Sequence, residues 1–224
     1  MTGDIEVVRH PRARRAKLSV DPTSGAIRLT LPPRASERRA LEWAKSQRDW
    51  IARQRATLPT ARPFVPGASI PFGDAVLTLE WMASAPRAGR IANETLIFGG
   101  PRDGFERRVE RWLRAQAFSV LTGETTRIAE RAGVSVARVS IGDPHGRWGS
   151  CSSSGTIRYS WRLILAPHSV LQATVAHEVA HRVHMHHGPD FHALVGQISD
   201  SDPKIARAWL RRNGAALHWF GRSN

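Results

Sequence analysis

Histidine is concentrated in one short stretch of this 224-residue chain. Six of the ten histidines fall within residues 177–192. Two of them, His177 and His181, are four residues apart, and Glu178 directly follows the first. Positions four apart share one face of an α-helix, so on a helix both imidazoles can approach a single point. The spacing therefore predicts a helix through this stretch.

An H-E-x-x-H sequence on a helix is typical of a catalytic zinc site. Such an ion takes the two histidines of the motif and one further protein ligand, and its fourth position stays open for water. The glutamate is not a ligand but accepts the proton of that water. We therefore predict His177 and His181 as zinc ligands and Glu178 as the general base.

The third zinc ligand must come from beyond the motif. We expect the helix to end near Met185, because the glycine and proline at 188–189 cannot continue it. We predict His187 as the ligand, since it directly precedes this turn. His184 and His186 are the alternatives. His184 lies nearer the metal face, where it can contact substrate or support a ligand, whereas His186 is expected to face solvent.

The rest of the composition excludes several other kinds of site. Cys151 is the only cysteine, so neither an internal disulfide nor a four-cysteine metal site is possible. We expect Cys151 to be a buried small residue. No stretch approaches the roughly 18 consecutive apolar residues that a membrane span requires. We therefore expect a cytoplasmic protein with no membrane partner.

Basic residues outnumber acidic ones. The chain has 33 Lys+Arg against 19 Asp+Glu, which gives a net charge of +14 with histidine neutral. Nearly all of the basic residues are arginines, a bias that GC-rich coding can also produce. A basic surface can bind a nucleotide or a nucleic acid through phosphate contacts, or it can simply be solvated. Both interpretations stay open.

The first hundred residues predict a β-rich accessory unit with one helix. Ser36 is a suitable N-cap for a helix that runs to about Ala56. A change of composition at 99–101 puts the domain boundary there, so the first unit is residues 1–100. Alternating apolar residues and turn sequences predict strands, the second and third forming a hairpin, at 5–8, 16–20, 26–31, 69–72, 76–81 and 96–98.

Residues 101–224 predict a second domain that carries the histidines. A long helix is expected from about Asp103 to Ala132, with Gly133 as its C-terminal stop. The motif helix begins near Pro167. Between the two helices we predict a strand at 136–141 and a hairpin of 147–151 with 156–165, joined by 152–155. The spacing of the long helix predicts that one face carries Phe105, Val109, Trp112, Gln116, Val120 and Ile128.

Several motifs together resemble one protein family, the YgjP-like metallohydrolases, which are relatives of the SprT-like and WLM zinc proteases. The similar segments are P-P-R-A-S at 32–36, R-D-W-I at 48–51, R-W-G-S-C-S-S at 147–153, W-R-L at 161–163, H-E-V-A-H at 177–181 and H-G-P-D-F at 187–191. The resemblance implies zinc held by His177, His181 and His187, with Glu178 as the general base or acid. The expected fold class is α+β: an N-terminal β-rich unit, then a zincin-like helical metal domain with a β-hairpin edge.

The hairpin offers a hypothesis about substrate binding. In zincins a strand beside the motif helix commonly leaves one edge open, so that an extended peptide can pair with it. The segment from Thr156 to Trp161 is our candidate for that edge, and an ordinary core hairpin is the alternative. The candidates for substrate contact and for stabilising a developing oxyanion are Arg147, Tyr159, Arg162 and His184.

The sequence favours a zinc-dependent hydrolase, most readily a metallopeptidase acting on a peptide or protein. One alternative is a metal-dependent phosphohydrolase acting on nucleoside triphosphates, which the arginine excess motivates. Another is a non-catalytic module that binds metal or nucleic acid. The presence of Glu178 argues against this last case, because a purely structural metal site needs no base.

Overall fold

A computed structural model describes residues 5–223 of the chain. In this part the chain forms three small sheets and six α-helices. The mixed α+β class predicted from the sequence is confirmed. The chain divides into two compact units, Met1–Thr60 and Ala61–Asn224. None of the helices between residues 5 and 223 is long and apolar enough to cross a membrane.

The first unit contains a three-stranded sheet, formed by β1 (Ile5–Arg9), β2 (Lys17–Val20) and β3 (Ile27–Leu31). Strand β3 is central, antiparallel to β2 and parallel to β1. The hairpin of the second and third strands is therefore confirmed. Alternate side chains of β3, from Ile27 to Leu31, are buried, as a strand with one core-facing side requires.

The single helix predicted after Ser36 is two helices, α1 (Glu37–Ser46) and α2 (Arg48–Ala56). Ser36 caps α1 as predicted, since its hydroxyl accepts a hydrogen bond from a backbone N–H of the first turn. At the break, the Ser46 hydroxyl donates to a backbone carbonyl of the preceding turn at 2.7 Å. Such local bonds compete with helix continuation, and Gln47 leaves the helical conformation with ψ 27°.

The second unit begins with a four-stranded sheet. Its strands are β4 (Ser69–Phe72), β5 (Ala75–Trp81), β6 (Arg90–Ala92) and β7 (Thr95–Phe98), in the order β4-β5-β7-β6. Three of them match predicted strands, and the short edge strand β6 was not predicted. The core-facing side chains of this sheet are Ile70, Leu77, Leu79, Leu96 and Phe98.

These strands share one hydrophobic core with the helices that follow. Helix α3 (Phe105–Ala132) continues directly from the sheet, and the Phe98 ring meets the Phe105 ring edge-on at 5.7 Å. The boundary predicted at residue 100 therefore falls inside the second compact unit. The functional division into an accessory part and a catalytic part stays a prediction.

Helix α3 buries a narrow seam along its length and ends, as predicted, at Gly133 in the left-handed conformation with φ 65°. The seam advances mostly in steps of four residues, so it runs obliquely to the helix axis. The predicted Trp112, Gln116 and Val120 are partly buried beside this seam, and Trp112 and Val120 pack against the core. The seam consists of Phe105, Val109, Leu113, Ala117, Leu121, Thr125, Ile128 and Ala129.

The third sheet lies between α3 and the histidine-rich segment in the sequence. It consists of β8 (Arg138–Gly142), β9 (Gly149–Cys151) and β10 (Thr156–Ser160). Strand β10 is central, parallel to β8 and antiparallel to β9. The hypothesis that Thr156 to Trp161 forms an open edge is therefore wrong, because β10 is hydrogen-bonded on both sides. The strand beside the motif helix is β9.

Four helical segments complete the second unit. A 3-10 helix (Trp161–Leu165) leads into α4 (His168–Ala180), which carries the H-E-x-x-H sequence. Helices α5 (Pro189–Ile198) and α6 (Pro203–Leu217) follow. Each of these last two begins with a proline in its first turn, where the missing N–H costs no hydrogen bond.

Because the four-stranded sheet and the following helices share one core, we expect two N-terminal truncations to differ in stability. A fragment starting at Ala61 keeps every strand of the four-stranded sheet and should unfold cooperatively on heating. A fragment starting at Pro101 loses that sheet and exposes the apolar seam of α3, so we expect no cooperative transition. Circular dichroism melting curves compare the two. Cooperative unfolding of the shorter fragment would instead support a domain boundary at residue 100.

Candidate active site

Helix α4 holds His177 and Glu178 in fixed positions. Ten of its 13 residues are buried, so the helix has little freedom to rotate. It ends at Ala180, which is earlier than the Met185 predicted. His181 is the C-cap residue and keeps a helical conformation with φ −65° and ψ −12°. Its side chain therefore still lies one turn beyond His177, as the spacing argument requires.

The turn after α4 brings His187 back to the motif. One ligand atom from each of His177, His181 and His187 lies within 4.8 Å of the other two. The Nε2 atoms of His177 and His187 are 3.1 Å apart. Within residues 5–223 this is the one cluster of histidine, cysteine or carboxylate groups with the spacing of a metal site. Three converging imidazoles are a donor set that fits a divalent transition metal.

The ring of Phe191 packs against all three histidines. Its centroid is 4.9 Å from that of His177, 4.6 Å from that of His181 and 4.8 Å from that of His187. The phenylalanine itself is fully buried. Because Phe191 lies in the first turn of α5, its burial fixes this helix and with it the position of His187, four residues earlier.

A backbone contact orients His181. Its Nδ1 atom lies 3.0 Å from the carbonyl oxygen of His184. With Nδ1–H donating to that carbonyl, Nε2 carries a free lone pair and can bind a metal. His184 thus acts on the cluster through its main chain, and its imidazole is not part of the cluster.

The histidines are held in the form that a metal ion needs. Burial and the neighbouring His181 and His187 lower the pKa of His177 to about 4. The pKa of His187 is lowered as well, through desolvation and the neighbouring His181 and His192. Both imidazoles are therefore neutral at pH 7, with lone pairs available for coordination.

Glu178 is a buried carboxyl group with only 5% of its surface exposed. Burial raises its pKa to about 7, and the positive charge of Arg147 opposes this increase. A group with such a pKa can both accept and release a proton near neutrality.

Strand β9 approaches this carboxyl group closely. A Cβ atom at Gly149 would lie 2.5 Å from Oε1 of Glu178 and 2.7 Å from its Cδ. Only a residue without a side chain fits there. The sequence did not indicate that this glycine of the R-W-G-S-C segment lies against Glu178.

A cavity of about 250 Å³ opens beside the cluster. It lies between the β9 segment, α4 and α6. Its lining residues are Arg147, Trp148, Gly149, Ala173, Thr174, His177, Glu178, Pro203, Ala206, Arg207 and Leu210. A buried carboxyl group, one histidine of the cluster and a substrate-sized space are thus adjacent.

Comparison with known proteins agrees with the motif resemblance. A scan against family models matches residues 14–213 to the family described as YgjP-like, metallopeptidase domain. The chain belongs to the YgjP-like family. Searches of the curated proteins and of the solved structures each found no match. Membership in a metallopeptidase family supports a metal-dependent hydrolase in general terms.

Two of the four substrate contacts predicted for this YgjP-like chain lie away from the cavity. Tyr159 is fully buried, and its hydroxyl is 3.0 Å from that of Thr125. Arg162 is 8% exposed and makes two hydrogen bonds to the carboxylate of Asp143, at 2.7 and 3.0 Å. It also donates to the carbonyl oxygens of Leu217 and Phe220 and so fastens the chain at the end of α6.

The other predicted residues divide between the cavity and its surroundings. Arg147 lines the cavity. His184 lies outside it, and its carbonyl oxygen contacts the ring of His181. Cys151 is half-buried in β9 and lies outside the histidine cluster. Sequence reasoning missed Phe191 as a support of the cluster, although it lies within the H-G-P-D-F segment. It also missed Arg207, which no sequence signal separates from the other arginines of α6.

The contact between β9 and Glu178 gives a testable prediction. Replacing Gly149 with Ala should displace the carboxyl group or the strand, lowering hydrolytic activity about 100-fold and the unfolding free energy by about 1–3 kcal/mol. Gly146→Ala is the matched control, because a Cβ atom there meets nothing within 4 Å. Activity assays and thermal melts compare the variants. Wild-type activity in Gly149→Ala would show that the close approach is not needed.

Proposed function

We propose that the chain is a zinc-dependent metallopeptidase in which His177, His181 and His187 hold the metal and Glu178 is the general base. The observation that carries the proposal is the convergence of three imidazole nitrogens within 4.8 Å, beside a buried carboxyl group in the same cleft. Three histidines leave one position of a tetrahedral site open, which is the arrangement of catalytic zinc centres.

The chemistry divides between the metal and the protein. A zinc ion held by three imidazoles supplies Lewis-acid polarisation of the scissile carbonyl and lowers the pKa of a water molecule. Glu178 accepts the proton of the attacking water at its carboxylate and delivers it to the departing amine nitrogen. Its raised pKa suits both transfers, because the group takes up and gives back one proton near neutral pH.

The buried surroundings of Glu178 support this role. The close backbone of Gly149 limits the space around the carboxyl group, which fixes its position relative to the cluster. A fixed base avoids the entropic cost of orienting a mobile side chain in the transition state.

A nucleoside triphosphate phosphohydrolase is the second candidate. It is motivated by the two arginines that line the cleft, since guanidinium groups bind phosphate well. A hydrolysis screen of the zinc-loaded protein against unfolded proteins, peptides and nucleoside triphosphates separates the two functions. We expect turnover of peptide bonds. Turnover confined to nucleoside triphosphates would replace the peptidase assignment.

The metal assignment predicts different effects for two neighbouring histidines. His187→Ala removes one of three ligands, so bound zinc should fall from about one ion per chain to a small fraction of that. His186→Ala should keep its zinc, because this exposed residue is not part of the cluster. Elemental analysis after dialysis measures both. Loss of zinc from His186→Ala alone would overturn the choice of third ligand.

The general-base assignment predicts a loss of turnover without loss of metal. The amide in Glu178→Gln has nearly the same shape but cannot accept a proton, so kcat should fall about 10²- to 10⁴-fold. Zinc content and melting temperature should stay close to those of the wild type. Equal kcat in the two proteins would exclude Glu178 as the base.

A further inference from the structure

The charged groups of the catalytic cleft are unequally distributed. Its lining contains one acidic residue, Glu178, and two basic ones, Arg147 and Arg207. Glu178 is buried, whereas both arginines are exposed. They come from different elements, Arg147 from the segment before β9 and Arg207 from the second turn of α6. A substrate in the cleft therefore meets positive charge from more than one element.

Neither arginine is held in a salt bridge by the described part of the chain. Within residues 5–223, Arg147 and Arg207 form no ion pair and donate no side-chain hydrogen bond. Other arginines of this unit are engaged, as Arg162 is with Asp143 and Arg127 with Glu124. The five N–H donors of each cleft guanidinium are thus available to a ligand.

The acidic residues closest in sequence do not compete for these donors. Asp202 caps α6 by accepting a hydrogen bond from the backbone N–H of Lys204 at 2.8 Å. Asp143, four residues before Arg147, accepts two hydrogen bonds from Arg162. Neither of the two lines the cleft.

The remaining walls strengthen the effect of the two charges. They include the apolar side chains of Trp148, Ala173, Ala206 and Leu210. Apolar walls exclude water and lower the local dielectric constant, so a charge on the substrate interacts more strongly here than on an open surface. Guanidinium groups match the planar carboxylate group with two parallel hydrogen bonds.

We propose that this cleft selects peptides with an acidic side chain next to the scissile bond, whose carboxylate is bound by Arg147 and Arg207. The inference rests on the peptidase function proposed above and names its substrate class. The two arginines are specificity-determining residues, and the proton transfer remains with Glu178.

Binding can be measured without turnover in zinc-loaded Glu178→Gln protein. The ligands are three fluorescent peptides of equal length that differ only at the residues flanking the central bond, which are glutamate, glutamine or lysine. Fluorescence anisotropy should give about tenfold tighter binding of the glutamate peptide than of the glutamine peptide, and the weakest binding for the lysine peptide. Equal affinities, or no binding of any peptide, would overturn the proposal.

Substitutions at Arg207 then locate the effect. In the same background, Arg207→Ala should bring the affinities for the glutamate and glutamine peptides to within about twofold, and Arg207→Glu should favour the lysine peptide. Arg211→Ala is the matched control, because Arg211 is exposed one turn later on α6 and does not line the cleft. It should keep the tenfold preference. A preference that survives in Arg207→Ala, or is lost in Arg211→Ala, would contradict the assignment.

Binding of a nucleoside triphosphate to the same variants distinguishes recognition of carboxylate from recognition of phosphate. If a nucleoside triphosphate binds in an Arg207-dependent way while no peptide does, the site recognises phosphate and the proposal is wrong. The hydrolysis screen of the wild-type protein tests the peptidase function separately from the binding preference. Cleavage of peptides regardless of acidic residues would leave the peptidase function standing and remove the specificity. Selective binding without any cleavage would leave the specificity standing and remove the peptidase function.

Discussion

The cluster of three histidines depends on the packing of Phe191 against their imidazole rings. His177 and His181 are held by a helix that is buried on most sides, but His187 lies in an exposed turn with no such support. The buried phenylalanine supplies it, because its ring anchors the first turn of α5 against the cluster. A local sequence, H-G-P-D-F, thus adds a third imidazole to the two that lie on and directly after the helix.

A second close contact connects the sheet to the chemistry. Gly149 of β9 lies against the carboxyl group of Glu178. Burial of this carboxyl group raises its pKa to about 7. The same burial that disfavours the charged form makes the group a suitable proton carrier near neutrality. Arg162 fastens the end of α6 through Leu217 and Phe220, and α6 forms the opposite wall of the cleft. The β9 wall and the α6 wall of the cleft are therefore both held by contacts with buried residues.

Local features of the site could be predicted from the sequence, and features that depend on distant packing could not. The spacing of His177 and His181 and the turn before Pro189 are set within a few residues, and the structure brings His187 to them. The edge strand was misassigned because strand order depends on the pairing of β8 with β10, which no short pattern encodes. The role of Arg207 follows only from the position of α6 beside α4.

The central claim is that three histidines, and no sulfur or carboxylate of the chain, bind the catalytic metal. X-ray absorption spectroscopy of the zinc-loaded wild-type protein tests it most directly. We expect imidazole scattering from three nitrogen ligands at about 2.0–2.1 Å, with one further light atom from water. A zinc–sulfur distance of about 2.3 Å, which only Cys151 or a methionine could supply, or scattering from fewer than three imidazoles, would contradict it.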